Sequence, residues 1–404
     1  MILVIAEKPS VAQSIAKVLG ATSRKDGYME GGNYIVSWCF GHLVELADAS
    51  SYDERYAKWR YDDLPIVPEN WMFEVTKDKA QQFKVLSALM KDKRVTELVC
   101  ATDAGREGEL IFRLVYNKAG CTKPFKRLWI SSLEDSAIRE GFNHLRDGKE
   151  YDRLYEAALS RSKADWIVGI NGTRLFTTLY HKKLVVGRVQ TPTLAMLVER
   201  DGKISTFQKE KYFNVHVGKG DLTADLEKVK TEEEAKRIAA ACEKKQAVVS
   251  SLKRETKTVN PPKLYDLTTL QREANRYYGF TAQQTLDLVQ TLYEKKLLTY
   301  PRTDSRYISD DVVPTLPDRL RAVMTGDYKP FAQELMRRRP LSTRYLVNNA
   351  KVTDHHAIIP TEEAPDLWQL SGPERNIYDL VVRRFLAVLM PPCAYEEVEL
   401  TLRA

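Results

Sequence analysis

Three acids stand where an apolar run gives way to a helical pattern, in LVCATDAGREGELIF over residues 98–112: Asp103, Glu107 and Glu109. A fourth, Glu7, ends another apolar run, ILVIAE, with Lys8 beside it. Mg²⁺ prefers oxygen ligands, keeps several of its waters, and often needs only one or two protein carboxylates. A helix start collects acids because the macrodipole favours them, which accounts for Glu107 and Glu109. It does not account for Asp103 at a strand end or for Glu7, so the metal reading leads. If the helix starts near them, Asp103 and Glu107, four positions apart, share a face. Gly105 stands between them and is expected to ease the strand-to-helix turn.

A second group lies in LLTYPRTDSRYIS, residues 297–309. The helix before it sets Ala282, Leu286, Val289, Leu292 and Tyr293 on one stripe, and Pro301 ends any helix. Tyr300 is then held in an extended turn with Arg302 two residues on, facing the same side. A guanidinium suits a phosphate, and a tyrosine becomes a covalent nucleophile when its oxygen is activated. On local physics alone, packing is the commoner role for one of 20 tyrosines. In DHHAIIPT (354–361), His355 or His356 can donate to a phosphate or shuttle a proton. Adjacent positions cannot share a helical face, which argues against paired zinc ligation and leaves a structural histidine as the commoner outcome. VVGRVQTPT (185–193) offers Arg188, Gln190 and two threonines as phosphate or sugar contacts. YAKWRYDDLPIVPENW (56–71), with Tyr61, mixes aromatics and bases as single-strand binders do, and surface packing explains it equally well. The absence of a G-x-x-x-x-G-K-[ST] loop removes support for nucleotide-driven chemistry of that kind.

These residues need elements to position them. ILVIAE reads as a buried strand and PSVAQSIAKVLG as a helix. In that helix Ser10 and Gln13 fit a capping box, Val11, Ile15, Val18 and Leu19 share a face, and Gly20 is the stop. ELVCATD repeats the theme, followed by a helix carrying Leu110, Ile111, Leu114 and Val115; strand FKRLWI and helix SLEDSAIREGF come next. This alternation through about residue 145 predicts a parallel α/β domain. Glu7 and Asp103 then fall at the carboxyl edge, where open α/β sheets bind ligands. Residues 151–205 read as mainly helical. From Tyr212, strands YFNVHV, LTADLEK and AVVSSLKRETKTV surround one capped helix, TEEEAKRIAAACEKK. NPPK (260–263) marks a boundary before a mostly helical stretch to about 390 that includes the basic MRRRPLSTR. Its last helix has Ser371 and Glu374 as a capping box, Pro373 near its first position, and Ile377, Leu380, Val381 and Phe385 inward. EEVELTLRA alternates Val398, Leu400 and Leu402 with polar residues, a half-buried strand with no partner after it. The sequence is therefore expected to be cut within a domain.

No apolar run approaches the ~20 residues of a membrane span, and MILVIAEKPS has no basic stretch before its apolar residues, so it reads as a strand rather than a signal peptide. Five scattered cysteines without CxxC spacing argue for a reducing compartment and against a structural zinc site. A net charge of +7 permits a polyanionic partner without demanding one.

Together the motifs resemble the type IA DNA topoisomerases, in particular the bacterial topoisomerase III branch, in that family's order through nearly the whole chain. VIAEKPSVA and ATDAGREGEL are similar to the two acidic motifs of its Toprim domain. FGHL, with His42, SRSKADWIVGINGTR, with Arg161, Asp165 and Thr173, and GRVQTPTL, with Gly187, Arg188, Val189, Gln190, Thr191 and Pro192, are similar to its strand-binding segments. LLTYPRTDS resembles its active-site motif and DHHAIIPT its histidine motif. The fold this implies is an α/β Toprim domain followed by the mainly helical and mixed α+β domains of a toroid. Its parts are a Toprim domain (1–148), the first part of a helical strand-binding domain (151–210), the first part of a mixed β arch domain (211–262), a helical domain carrying the tyrosine (263–392), and the start of a return into the arch (393–404), cut short.

The resemblance also implies roles. Tyr300 attacks a phosphodiester of single-stranded DNA, leaving a 5′-phosphotyrosyl link and a free 3′-hydroxyl, and Arg302 holds the scissile phosphate. Glu7 lies near the leaving 3′ oxygen as general acid, Lys8 stabilises the phosphate, and His355 assists. Asp103 and Glu107, with Glu7, hold Mg²⁺. Resealing needs no ATP. The family pattern is D-x-D-x-E, and Gly105 replaces its middle acid; Glu109, two residues past Glu107, points to another face. One metal ion is therefore expected. The implied partners are single-stranded, negatively supercoiled or catenated DNA, with no membrane, acted on by a monomer in the cytoplasm. Two rivals remain: a Toprim nuclease or primase-like protein, which needs neither Tyr300 nor Arg302, and a single-strand-binding fragment, which needs neither Tyr300 nor metal and binds with steep salt dependence.

Overall fold

The computed structural model describes residues 1–243, 245–338, 340–352 and 355–403. Lys244, Arg339 and Asp354, each inside a stretch read above, lie outside them. The chain divides into two compact units, Met1–Arg188 with Pro261–Pro391, and Val189–Asn260 with Pro392 onward.

The first unit opens with β1 (Ile2–Ala6) and α1 (Pro9–Leu19). Leu3 and Ile5 enter one core and Val4 and Ala6 another, because a sheet covered on both faces buries both sides of its strands. The capping box expected at Ser10 does not form. Pro9 occupies the first turn and the cap falls on Lys8, whose side chain makes no capping bond. Gly20 ends the helix in a left-handed conformation (φ 74°).

Three short strands follow, β2 (Ser23–Lys25), β3 (Tyr28–Gly31) and β4 (Tyr34–Trp38). The small pair β5 (Val44–Leu46) and β6 (Phe73–Val75) and helix α2 (Ala80–Lys91) come next. Then come β7 (Glu97–Ala101), α3 (Arg106–Lys118), β8 (Phe125–Arg127), α4 (Asp135–Asn143), β9 (Arg146–Asp147) and the long α5 (Asp152–Tyr180). The sheet runs β2-β3-β4-β1-β7-β8-β9. Only β4, β1, β7 and β8 are mutually parallel, so the expectation of a parallel domain holds for the centre and fails at both edges. The cause at one edge is local: Asp26-Gly27 and Gly32-Asn33 are two-residue turns, which join antiparallel strands.

The second unit holds α6 (Gln190–Ser205), an antiparallel pair β10 (Phe213–Lys219) and β11 (Leu222–Val229), and α7 (Glu232–Cys242), capped by Thr231. Val215, Val229 and Ala235 form its small core. β12 (Val248–Val259) pairs antiparallel with β13 (Cys393–Arg403). The half-buried strand expected at the end of the chain is instead exposed on its apolar positions, Val398 at 45% and Leu400 at 41%. A two-stranded ribbon provides no second layer on which to bury a face.

The remainder of the first unit is a helical body: α8 (Leu267–Tyr278), α9 (Ala282–Glu294), α10 (Leu316–Ala322), α11 (Lys329–Arg337) and α12 (Gly372–Leu389). The Ser371–Glu374 capping box is present, and Ile377, Leu380, Val381 and Phe385 enter the core that also buries Val289 and Leu292. Ala282 is the exception on the α9 stripe and is exposed.

Candidate active site

β1 and β7 pair in register up to Ala6 and Ala101, so the residues just beyond them emerge side by side. The Asp103 N–H donates to Glu7 Oε2 at 3.3 Å. Beneath this turn lies Arg127, fully buried on the last position of β8. Its Nη1 donates to the carbonyls of Cys100, Thr102 and Leu128 at 3.1, 2.7 and 3.0 Å, and its Nη2 to that of Asp103 at 2.6 Å. Its counter-ion is Glu109, also fully buried, 3.0 Å from Arg127 Nε and 2.9 Å from Arg113 Nε. Glu109 therefore supports the turn from below. Gly105 has φ 170° and ψ 176°, extended backbone that any residue adopts, so the turn does not require glycine there. It requires glycine at Gly108, where a Cβ would lie 2.1 Å from the Asp103 carbonyl oxygen.

Asp103 and Glu107 do not share a helical face. α3 begins at Arg106, which leaves Asp103 outside it. Glu107 is 70% exposed and pairs with His42 Nε2 at 2.7 Å. The structure thus brings Glu7 and Asp103 together and holds Glu107 on His42. Among the described residues no group of three or more metal-binding side chains converges.

Burial, then the charge of Asp103, pushes the Glu7 carboxyl up to about 7. Burial also raises Asp103, against a hydrogen bond from Tyr300 and the charges of Lys8, Arg127 and Arg302. His42 lowers Glu107. Two adjacent hard-oxygen donors whose charges are costly in place fit an Mg²⁺ that keeps most of its waters.

The tyrosine half is built by two segments far apart in sequence. The Thr299 N–H donates to Ile359 O at 3.0 Å, and the Thr361 N–H to Leu297 O at 3.2 Å. Thr299 Oγ1 donates to Ala357 O at 3.2 Å and accepts from the Ile359 N–H at 3.0 Å. The histidine stretch is therefore the backbone partner of the tyrosine stretch. The Tyr300 N–H donates to Ser131 O at 3.1 Å, and its side chain shares a small pocket with Asp103, near enough for each group to act on the other. Its ring lies 4.3 Å from that of His355 and 5.4 Å from that of Tyr293, centroid to centroid. Burial and Asp103 push the phenol far above its ordinary range. Arg302 is exposed, and its charge reaches Asp103 too. Lys8 Nζ lies 4.0 Å from Glu294.

Both histidines are buried and held neutral, His355 down to about 3 and His356 to about 4, burial being the main cause for each. His355 Nδ1 lies 3.3 Å from Ser131 Oγ, and His356 Nδ1 donates to Ala357 O at 2.7 Å.

The remaining sequence-predicted residues are dispersed. Arg188 forms a two-pronged pair with Asp165, at 2.6 and 3.0 Å. Thr173 Oγ1 accepts from the N–H of Val186, the residue just before Gly187, at 3.0 Å. Arg161 lies near enough to Glu107 for its charge to act there. Tyr61 is 57% exposed, and nearby Trp59 has the Arg174 guanidinium 5.3 Å from its ring. Val189, Gln190, Thr191 and Pro192 belong to the second unit, around the exposed start of α6. Sequence reasoning missed Arg127 and Ser131. A cation inside the apolar run of FKRLWI was a usable sign for Arg127; Ser131 carried none.

The fold and site define a class: an α/β sheet with an acid pair at the carboxyl ends of adjacent parallel strands, joined to a helical body that presents a tyrosine hydroxyl to that pair. Comparison with known proteins agrees. A family model described as "Toprim domain" matches residues 2–133, and one described as "DNA topoisomerase" matches 149–404. The chain is 47% identical over 405 residues to proteins named DNA topoisomerase 3 from Bacillus licheniformis and Bacillus subtilis, covering 98% of this chain and 56% of each relative. A solved structure of full-length topoisomerase I from Thermotoga maritima superposes with a TM-score of 0.72 at 26% identity, over 99% of this chain and 63% of that one. The chain belongs to the type IA DNA topoisomerase family, in its topoisomerase III branch. It spans a little over half the length of the curated relatives it matches. Its Toprim domain is of a family known to bind Mg²⁺.

Proposed function

We propose that this chain cleaves and reseals single-stranded DNA through Tyr300, with Mg²⁺ and without ATP, as the catalytic portion of an enzyme that relaxes or decatenates DNA in the cytoplasm. The observation that carries the reading is the Tyr300 side chain sharing a small pocket with Asp103, while Glu7, next to Asp103, has its carboxyl near 7. A phenol set beside a carboxylate has an acceptor for its proton, and a carboxyl that titrates near neutrality suits a general acid.

The Tyr300 oxygen attacks the phosphorus as its proton passes toward Asp103. The bond from phosphorus to the 3′ oxygen breaks, and Glu7 protonates that oxygen. Arg302 and Lys8 offset the charge on the phosphate. His355, neutral and against the Tyr300 ring, orients the nucleophile and offers an uncharged donor. Glu7 and Asp103 are the residues that would hold one Mg²⁺, with Glu107 joining only if it leaves His42. When bound, the ion supplies further positive charge beside the phosphate. The phosphotyrosine keeps the energy of the broken ester, so the 3′-hydroxyl reseals by the reverse path. His42, Tyr61, Arg161, Asp165, Thr173 and the stretch Gly187–Pro192 are the proposed strand contacts.

The test is cleavage of an end-labelled single-stranded oligonucleotide, with and without Mg²⁺, by the wild type and Tyr300→Phe. A protein-linked 5′ end that disappears in Tyr300→Phe supports the reading. Binding with no adduct reduces the chain to a strand-binding fragment, and cleavage that persists in Tyr300→Phe makes it a Toprim nuclease.

A further inference from the structure

The residues just after β8 make contacts to the helical body that the chemistry above does not use. Ser131 accepts the Tyr300 N–H, and its hydroxyl meets His355. Asp135 pairs with Lys296 at 2.5 Å. Between them Glu134, only 3% exposed, has both carboxylate oxygens engaged. Oε2 accepts from Ser132 Oγ at 2.7 Å, and Oε1 accepts the Glu362 N–H at 2.6 Å.

Arg319, 5% exposed, lies 4.0 Å from Glu134 and 3.8 Å from Glu362. It is anchored in the helical body by bonds to Pro360 O at 2.7 Å and Thr315 Oγ1 at 2.8 Å. The seam here is not closely packed. A cavity of about 690 Å³ opens beside it, with Ser132, Glu134, Arg319, His356 and Glu362 in its wall. Where apolar packing is incomplete, buried charge-assisted hydrogen bonds decide how the two sides meet.

The contact leads directly to the nucleophile. Glu362 follows Thr361, whose N–H donates to Leu297 O and whose hydroxyl donates to Lys296 O at 2.5 Å. Leu297 begins the extended run that continues through Thr299 to Tyr300. We propose that Glu134 is a positioning residue for strand breakage and resealing: through the Glu362 amide it sets the Tyr300 segment against the acid pair, so that the phosphotyrosine and the 3′-hydroxyl remain apposed. The proposal rests on the cleavage reading above. A break made without this contact drifts apart, and resealing suffers more than binding.

The experiment compares wild type, Glu134→Ala and Glu134→Gln on the same oligonucleotide, following adduct decay after quenching new cleavage with salt. Glu134→Gln keeps an acceptor for the Glu362 amide; Glu134→Ala does not. Resealing is expected to slow on the order of tenfold in Glu134→Ala, with the KM for DNA unchanged and Glu134→Gln near wild type. Amide hydrogen exchange, which needs no activity, is expected to show lost protection at Glu362 and Tyr300 in Glu134→Ala, and unchanged protection in α1 and α12. Unchanged resealing and exchange in Glu134→Ala overturn the proposal. So does a uniform loss of protection, or a Glu134→Gln variant as impaired as Glu134→Ala, because either makes the role a general structural one. If the wild type forms no adduct, the cleavage reading fails, and the exchange measurement still decides whether Glu134 holds the Tyr300 segment.

Discussion

The acid half and the tyrosine half of the site are held by different means. Glu7 and Asp103 sit just past the ends of β1 and β7, paired in register from Ile2 and Glu97 to Ala6 and Ala101, with a hydrophobic core on each face. Arg127 ties the Asp103 turn to that sheet from below. Tyr300 lies in no helix or strand; its segment rests on bonds to residues 357–361 and one to Ser131. Secondary structure makes the first half stiff, whereas individual hydrogen bonds hold the second. The proposed mechanism, which holds a phosphate still and then lets a tyrosine-bound end move away, would be served by that asymmetry.

The comparison can be broken most forcefully at Arg127. Arg127→Met removes four carbonyl contacts and strips buried Glu109 of one partner, so urea unfolding should show a loss of about 3–5 kcal/mol. A loss under about 1 kcal/mol would mean the acid half does not depend on this support.

Acid should separate the halves by sign. Below its ordinary 6.5 the unfolded chain protonates His355 and His356, while the folded protein resists until about 3 and about 4. The unfolded state then binds more protons, and stability falls as pH drops from 6.5, by on the order of 3 kcal/mol for each at pH 4. Glu7 runs the other way. Its folded value of about 7 exceeds 4.5, so its contribution is full below 4.5 and is lost as pH rises through 7. Amide exchange between pH 7 and 4 should show the 355–361 segment losing protection before β1, and equal loss in both would erase the distinction.

Thr299→Val, nearly isosteric, removes the hydroxyl that bonds Ala357 and Ile359 and should cost about 1–3 kcal/mol, with a larger fall in kcat than change in KM. The smallest effect should come from Glu107→Gln, exposed and paired only to His42 among the described contacts: within about 0.5 kcal/mol of wild type in stability. Calorimetry should find Mg²⁺ binding weakened less than by Asp103→Asn; a greater loss would show that Glu107 is the principal ligand.

Much of the acid half was legible because its cues are local. An apolar run, an acid and an amphipathic helix imply a strand-end carboxylate, as at Glu7 and Asp103. Where a cue depended on one residue of phase, it failed. Pro9 moved the cap off Ser10, and the start of α3 at Arg106 separated Asp103 from Glu107. Glu109 read as an acid drawn to a first helical turn by the macrodipole, yet it is buried against Arg127, which comes from a strand 18 positions later in the chain.

The tyrosine half was recognised only by resemblance. On local physics Tyr300 was one tyrosine among many, because what distinguishes it is the Asp103 carboxylate at its hydroxyl and the segment 357–361 along its backbone.

The sequence by itself determined the strand-end acids, the helices with their stops and most of their caps, which follow from steric and hydrogen-bonding preferences within a few neighbouring residues, and the motif order that marks the family. Only the tertiary structure decided which acids pair, which one is spent beneath the turn, that both histidines are neutral, and that the Tyr300 hydroxyl meets Asp103. Those outcomes depend on burial and on charges brought together from distant parts of the chain, and no local pattern encodes either.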